Sequence, residues 1–216
     1  MSQTRMNIEA HQILHNAHNC AYRYPADFRG FKARITYHTD EKTHDGSVTI
    51  HSPKDITIEI EGTEAELKLP QHEIASLCGH RWYAPYHEGD GRFTLSLNEN
   101  ADHLLGQLIV FQDDPFRSSY RIKDGSVVQI NRQMGTNKFT IDVLSHISVE
   151  GNKKLPTHFT VAFWNTEEKR LMRTLVYTDR YVPVADYHLP ASRRIVIYDD
   201  EGVNAHSITF SAHELL

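Results

Sequence analysis

The chain has 216 residues, of which 39% are hydrophobic and 24% are charged. This composition is typical of a globular protein and excludes a disordered, collagen-like or disulfide-rich chain. The longest aliphatic stretch, near residues 108–111, is far shorter than the ~20 residues of a transmembrane helix, so we expect no integral membrane segment. Two separate cysteines and an N-terminus without an export signal predict a cytoplasmic location.

The charge pattern argues against a nucleic-acid partner. Asp and Glu total 28 against 23 Lys and Arg, and the basic residues are scattered along the chain. A protein that neutralises phosphates needs them clustered, so we expect no binding to nucleic acid. The chain is also histidine-rich, with 15 copies, and its solubility should therefore change near pH 6.

The first predicted elements are a helix and a three-stranded meander. Apolar residues at helical spacing predict a helix over residues 7–24 that ends before Pro25. Strict alternation from Phe31 to His38 predicts a half-buried strand. Asp45-Gly46 is typical of a hairpin turn, and two further strands extend to residue 61.

A second helix is predicted over residues 71–83, with Pro70 near its start. From residue 93 to 211 the chain alternates short apolar strands with turns such as Asp124-Gly125 and Met134-Gly135. Short turns join antiparallel neighbours. We expect one domain over residues 1–216, because no linker, repeat or low-complexity segment divides it.

The predicted fold class is mainly β (α+β). A sheet of about ten antiparallel strands must curl, split or close on itself. Two helices are too few to cover both faces. We therefore predict a large curved antiparallel sheet, a half-barrel or open barrel, with the N-terminal helix and the second short helix packed in its mouth.

Seven runs of sequence point to a known family. They are AYRYPADFRGFKARI (21–35), SLCGHRW (76–82), GDGRFTL (89–95), SSYRIKDG (118–125), MGTNKFTIDVL (134–144), LPTHFTVAFWN (155–165) and YVPVADYHLPASRRIVI (181–197). The chain resembles, over nearly its whole length, the bacterial family called domain of unknown function 3386, common in cyanobacteria. The resemblance implies no catalytic residues. The strand pattern also resembles, more distantly, the half-barrel of bacterial lipoprotein carriers, whose concave face holds acyl chains.

Four polar side chains share one strip of the first predicted helix. His11, His15, His18 and Tyr22 lie within about 60° of each other at ~100° per residue. Imidazoles one turn apart are suited to zinc, so His11, His15 and His18 are candidate metal ligands. The alternative, which we favour, is a polar face at the flank of the apolar stripe or in solvent, because no HExxH pattern is present.

The remaining candidates lie near the second helix and on late strands. His80 and Trp82 would meet a ligand if that helix lies in the mouth of the sheet; the alternative is an ordinary helix end. His158 alternates with Phe159, Val161 and Phe163 and should point to the opposite face. Arg193 shares the parity of an apolar row, which requires an anionic ligand group or, more commonly, an internal carboxylate partner.

These patterns favour a binding protein over an enzyme, and no nucleophile elbow, P-loop or dinucleotide motif is present. We expect an apolar cavity for a lipid, pigment or isoprenoid-like ligand. Its polar contacts would come from His18, Tyr22, His80, Trp82, His158 and Arg193. The alternatives are a histidine- or metal-dependent enzyme of small molecules and a protein-interaction module. The sequence identifies neither a cofactor nor an oligomeric state.

Overall fold

The computed structural model describes residues 3–98 and 103–216. In these ranges the chain forms two α helices, α1 (Gln3–Cys20) and α2 (Glu64–Gly79). Its strands are β1 (Phe31–His38), β2 (Thr43–Ser52), β3 (Asp55–Ile60), β4 (Leu95–Leu97), β5 (Gln107–Phe111), β6 (Ser119–Lys123), β7 (Ser126–Met134), β8 (Asn137–Val149), β9 (Lys153–Asn165), β10 (Arg170–Val184), β11 (Tyr187–Asp199) and β12 (Gly202–Leu215). Three short 3-10 segments lie at Tyr86–Glu88, Asp90–Arg92 and Glu150–Asn152.

The strands form a single antiparallel sheet in the order β3-β2-β1-β12-β11-β10-β9-β8-β7-β6-β5-β4. Strands β3 and β4 are its two edges, so the sheet is open. This confirms the predicted mainly β fold with an open antiparallel sheet and two helices, although the strands number twelve rather than about ten. Consecutive strands pair with each other except β3 and β4, and β1 also pairs with β12.

The chain divides into two compact units. The first unit comprises residues 1–22, 84–176 and 198–202, and the second comprises residues 23–83, 177–197 and 203–216. The single-domain organisation stays a prediction, because compactness alone does not test whether either unit folds independently.

Helix α1 lies on the sheet of the first unit. Its buried residues Ala10, Leu14 and Ala17 pack against strands β4–β6, where they form a core with Leu95, Ile109, Phe111, Tyr120 and Ile122. The predicted helix end before Pro25 is wrong, because α1 ends at Cys20. The chain then passes the start of β9, where the Tyr22 amide donates to the Lys154 carbonyl at 2.9 Å. That backbone bond replaces a continued helical turn.

Helix α2 begins seven residues earlier than predicted and ends before Trp82. Its start is a capping box: the Thr63 hydroxyl accepts from the Glu66 amide, and the Glu66 carboxylate accepts from the Thr63 amide. This pair satisfies the amides of Thr63 and Glu66, which fixes the start of the helix at this point. Pro70 therefore lies inside the helix, and α2 buries Glu73, Ile74, Leu77 and Cys78.

Asp45-Gly46 is the clearest wrong turn prediction. Both residues lie within β2, and the β1–β2 turn is instead closed by the Thr39 amide donating to the Lys42 carbonyl at 2.9 Å. A Cβ on Gly46 would lie 2.2 Å from the Glu59 carbonyl oxygen. Glycine is therefore required for close approach of β3 rather than for a turn. The Asp124-Gly125 and Met134-Gly135 turns are confirmed.

Candidate functional site

Strands β7–β9 of the first unit present two chemically different faces. Cross-strand pairing places Ile130, Ile141 and Val161 in one row across the three strands. The next row is Arg132, Phe139 and Phe163. Because alternate residues of a strand point to the same side, both rows lie on one face, together with the pair Val143 and Phe159.

We call the apolar members of this face the apolar wall: Ile130, Phe139, Ile141, Val143, Phe159, Val161 and Phe163. Six of the seven are half-buried, and only Val161 is buried, at 8% exposure. Ile130 still packs against the α1 core and is paired with Tyr120 of that core. The wall therefore continues the surface on which α1 lies, past the point where the buried core ends.

The opposite face of the same strands is polar and internally satisfied. The Gln129 side chain donates to Asp142 at 2.7 Å, and the Thr140 hydroxyl donates to Asn131 at 2.7 Å. The Asn131 amide in turn donates to Gln129 at 3.1 Å. A hydrogen-bonded surface of this kind is typical of a face in contact with water. The apolar wall, in contrast, presents aliphatic and aromatic side chains that are for the most part half-buried.

Two arginines stand at one end of the apolar wall. The Arg132 guanidinium donates through Nη2 to the Tyr120 hydroxyl at 2.6 Å. Its buried Nε has no hydrogen-bond partner within the described part of the chain. Arg173, on β10, places its Cζ 4.5 Å from the centre of the Phe163 ring. The Phe139 and Phe163 ring centres are 5.9 Å apart. The end row therefore consists of two aromatic rings flanked by two cations.

Tyr120 links Arg132 to a carboxylate. Its hydroxyl donates to Asp90 at 3.4 Å. Burial, together with the Asp90 charge, raises the pKa of Tyr120 to about 12, although Arg132 opposes this. The phenol is therefore protonated at neutral pH, so it bonds Arg132 as an acceptor and does not neutralise it.

Arg193 lies in the second unit, in a buried ion cluster. Its guanidinium donates to Asp179 at 2.8 and 2.7 Å and to Glu73 of α2 at 2.9 Å. Burial alone would lower the pKa of Arg193, but the bonds and charges of Asp179 and Glu73 raise it above its usual value. The internal carboxylate partner expected as the commoner alternative for Arg193 is therefore present, and these donors are occupied.

The predicted histidine strip surrounds one aromatic ring of the first unit. His11 Nδ1 lies 2.9 Å from the Tyr86 hydroxyl, and the ring centres of His15 and His18 are 4.9 and 5.6 Å from that of Tyr86. His15 is exposed and the other two are half-buried, so the strip lies at the flank of α1, as the preferred alternative expects. Tyr22 is separate from it, because α1 ends first and Tyr22 is buried.

The structure describes no metal site. Within residues 3–98 and 103–216, no three His, Cys, Asp or Glu side chains are placed to hold a metal ion. The zinc hypothesis for His11, His15 and His18 stays an untested prediction. In the same ranges no helix is long and apolar enough to cross a membrane.

The other predicted ligand contacts are dispersed. His158 is exposed, bonds Ser145 at 2.7 Å and points away from the apolar wall, as its alternation predicts. In the second unit His80 caps α2, its amide donating to the Ser76 carbonyl at 3.2 Å. Trp82 is half-buried and packs on Tyr24 and Phe28, with ring centres 5.6 and 5.2 Å away. These residues do not form one site within either unit.

Cys78 is unsuited to nucleophilic chemistry. Its side chain is 0% exposed, and burial raises the pKa of its thiol to about 12. The reactive thiolate is therefore scarce at neutral pH.

The comparison with known families identifies the chain. The model of the family described as "Protein of unknown function (DUF3386)" matches residues 5–216. The chain belongs to the DUF3386 family. This confirms the resemblance carried by the seven sequence runs. No curated protein matches the DUF3386 chain.

Solved structures similar to the DUF3386 chain are distant in sequence. One is a LolA superfamily protein from Nitrosomonas europaea, with 11% identity, a TM-score of 0.30, and coverage of 96% of this chain and 93% of that chain. Another is a DUF1329 family protein from Desulfovibrio piger, with 7% identity, a TM-score of 0.30, and coverage of 97% and 93%. A third is the MucA/MucB complex of Pseudomonas aeruginosa, with 9% identity, a TM-score of 0.21, and coverage of 94% and 93%.

Sequence reasoning missed the two arginines at the wall. Arg132 lies on β7 and Arg173 lies on β10, both within the region where short strands are predicted. Strand alternation could have shown which neighbouring apolar residues share a face with each arginine. The pairing of Arg132 with Phe139, however, depends on the β7–β8 register. Register is a property of two strands together, so neither strand reveals it alone.

Proposed function

We propose that this protein binds an amphiphilic small molecule whose apolar body lies on the apolar wall of β7–β9. The observation that carries the proposal is a row of half-buried aliphatic and aromatic side chains facing away from a hydrogen-bonded polar face. Apolar surface that the fold does not bury is often a binding surface. The two arginines at one end supply polar contacts that would orient the ligand.

The wall favours an elongated ligand. Burying a methylene group contributes about 0.8 kcal/mol, whereas association of two molecules costs at least about 4 kcal/mol. A ligand must therefore bury more than about five methylenes before it binds measurably. Each further methylene should strengthen binding roughly fourfold, because 1.4 kcal/mol corresponds to a factor of ten.

The experiment compares variants at two adjacent residues, a valine and a leucine, whose side chains point to opposite faces of the sheet. Val143 belongs to the wall, and Leu144 is 65% exposed outside it. We expect Val143→Gln to weaken binding of the neutral fluorophore Nile red about tenfold, because burying a valine side chain contributes about 1.5 kcal/mol. Leu144→Gln should leave the dissociation constant within about twofold. Fluorescence titration measures both.

Displacement of Nile red by 1-octanol, 1-decanol and 1-dodecanol then tests the chain-length dependence. A regular gain in affinity with each methylene supports binding along the wall. The proposal fails if Nile red binds without saturation, or if both glutamine variants weaken it equally. Circular dichroism of both variants establishes that the sheet is retained.

A further inference from the structure

The end row of the apolar wall carries positive charge without a directly bonded carboxylate. Within residues 3–98 and 103–216, the ion pairs shorter than 4.0 Å do not include Arg132 or Arg173. The Tyr120 hydroxyl connects Arg132 to Asp90. The cations therefore retain donor capacity on an apolar surface, where a guanidinium is costly unless it meets an anion.

The buried Nε of Arg132 also supports an anionic group at this end of the wall. Its Nε is buried and has no hydrogen-bond partner among the residues that the structure describes, although most buried polar atoms in proteins have one. Arg132 and Phe139 are paired across β7 and β8, so Arg132 lies next to the last aromatic residue of the wall, and its guanidinium extends to the Tyr120 hydroxyl. Arg132 is half-buried, so part of its side chain is open to an incoming group although Nε is not.

Arg173 provides the second contact from the other side. Its guanidinium stacks on Phe163, which leaves the edge donors of its planar fork open. Strand β10 is three strand spacings from β7, or about 14 Å between backbones. The two long side chains therefore bracket the aromatic pair rather than compete for one position.

From this arrangement we infer that the amphiphile carries an anionic head group, a carboxylate or phosphate, held by Arg132 and Arg173 at the end of the apolar wall. This inference rests on the proposed function, because it names the head group of the ligand whose body lies on the wall. Both anions match the planar fork of arginine.

The occupant is a dispersed single molecule rather than a bilayer surface. Six of the seven wall side chains are half-buried, so they do not project as an anchor into lipid would. This partial burial favours a ligand that enters the wall from solution.

The test compares three twelve-carbon ligands below their critical micelle concentrations, at pH 8: dodecanoate, 1-dodecanol and dodecyltrimethylammonium. Displacement of Nile red gives each affinity. We expect dodecanoate to bind about tenfold more tightly than 1-dodecanol, and the cation to bind most weakly. The preference should decrease with added salt.

The double variant Arg132→Met, Arg173→Met should reduce the preference for dodecanoate over 1-dodecanol to within about twofold. Arg170→Met is the matched control: Arg170 lies on β10 and bonds Asp200 and Glu168 instead. Single variants at Arg132 and Arg173 repeat the measurement if the double variant does not fold.

Equal binding of dodecanoate and 1-dodecanol by the unaltered protein overturns the head-group inference and leaves the proposed function standing. Absence of binding by all three overturns the proposed function itself. Co-sedimentation with phosphatidylglycerol vesicles, without binding of dispersed dodecanoate, identifies a membrane surface and also overturns the inference.

Discussion

Two arginines packed on aromatic rings behave differently in the two units. In the second unit, Arg193 lies 5.0 Å above the Tyr177 ring, is 3% exposed and bonds Asp179 and Glu73. In the first unit, Arg173 lies 4.5 Å above the Phe163 ring and is exposed, and no carboxylate of residues 3–98 and 103–216 lies within ion-pair distance of it. Both guanidinium groups stack on an aromatic ring. They differ in whether the fold supplies carboxylates that neutralise the charge.

The difference separates a structural cation from one available to a ligand. A buried guanidinium must be neutralised within the fold, and the carboxylates of Asp179 and Glu73 do this for Arg193. Arg173 remains hydrated, so the fold does not need to supply its anion. An arginine on an apolar face therefore indicates a ligand only when its donors are unused.

The largest expected effect comes from removing the cation of the buried ion cluster in the second unit. Arg193→Met leaves Asp179 and Glu73 buried without their cation, so we expect the free energy of unfolding to fall by about 3–5 kcal/mol. Urea denaturation followed by circular dichroism measures it. Adding Glu73→Gln and Asp179→Asn to Arg193→Met should recover part of the loss, because neutral amides are less costly to bury than unpaired carboxylates.

Arg173→Met is the counterpart in the first unit. It removes an exposed guanidinium without leaving a buried charge, so the free energy of unfolding should change by less than about 1 kcal/mol. Similar losses for the Arg193 and Arg173 variants would contradict the distinction between the two arginines.

A smaller effect concerns the helix that positions Glu73. Thr63→Ala removes the hydroxyl that caps α2, and we expect a loss of about 1 kcal/mol in the same denaturation experiment. Thr57→Ala on β3 is the control, since Thr57 is exposed and lies outside the cap. If the two variants unfold alike, the capping box does not hold α2 in place.

The smallest effect appears in the pH dependence of the second unit. Burial lowers the pKa of His206, whose Nδ1 lies 2.9 Å from the Tyr37 hydroxyl. The unfolded chain then binds a proton at higher pH than the folded chain, so stability is complete above the usual value of 6.5 and is lost as the pH falls through it towards the lowered pKa.

His206→Gln should therefore reduce the fall in unfolding free energy between about pH 7.5 and 5.5. Tyr37→Phe keeps the burial while removing the hydroxyl, so it should retain most of the slope. A His206→Gln slope equal to that of the unaltered protein would show that another group is responsible.

The sequence predicted those parts of the fold that depend on a single strand or helix. Alternation placed Phe31, Ala33, Ile35 and Tyr37 on the buried side of β1, and the structure confirms it. The parity of Arg193 likewise required a buried anion. Parity survives because the side-chain period of a strand is fixed by backbone geometry.

Features that depend on two elements were not predictable in the same way. Asp45-Gly46 has the chemistry of a turn, yet the approach of β3 keeps Gly46 in a strand. Pro70 is typical of a helix start, although the Thr63 cap seven residues earlier sets the true start of α2. Predicting the Arg132–Phe139 pair requires the register between β7 and β8, which cannot be derived from either strand alone.

Pairing of β1 with β12 also has a consequence for biosynthesis. Tyr37 and His206 meet although 169 residues separate them in sequence. The hairpins of β5–β9 join neighbouring segments of the chain, so they can form during translation. The other flank of β1 stays unpaired until β12 has emerged from the ribosome, so the nascent chain exposes an open strand edge until that point.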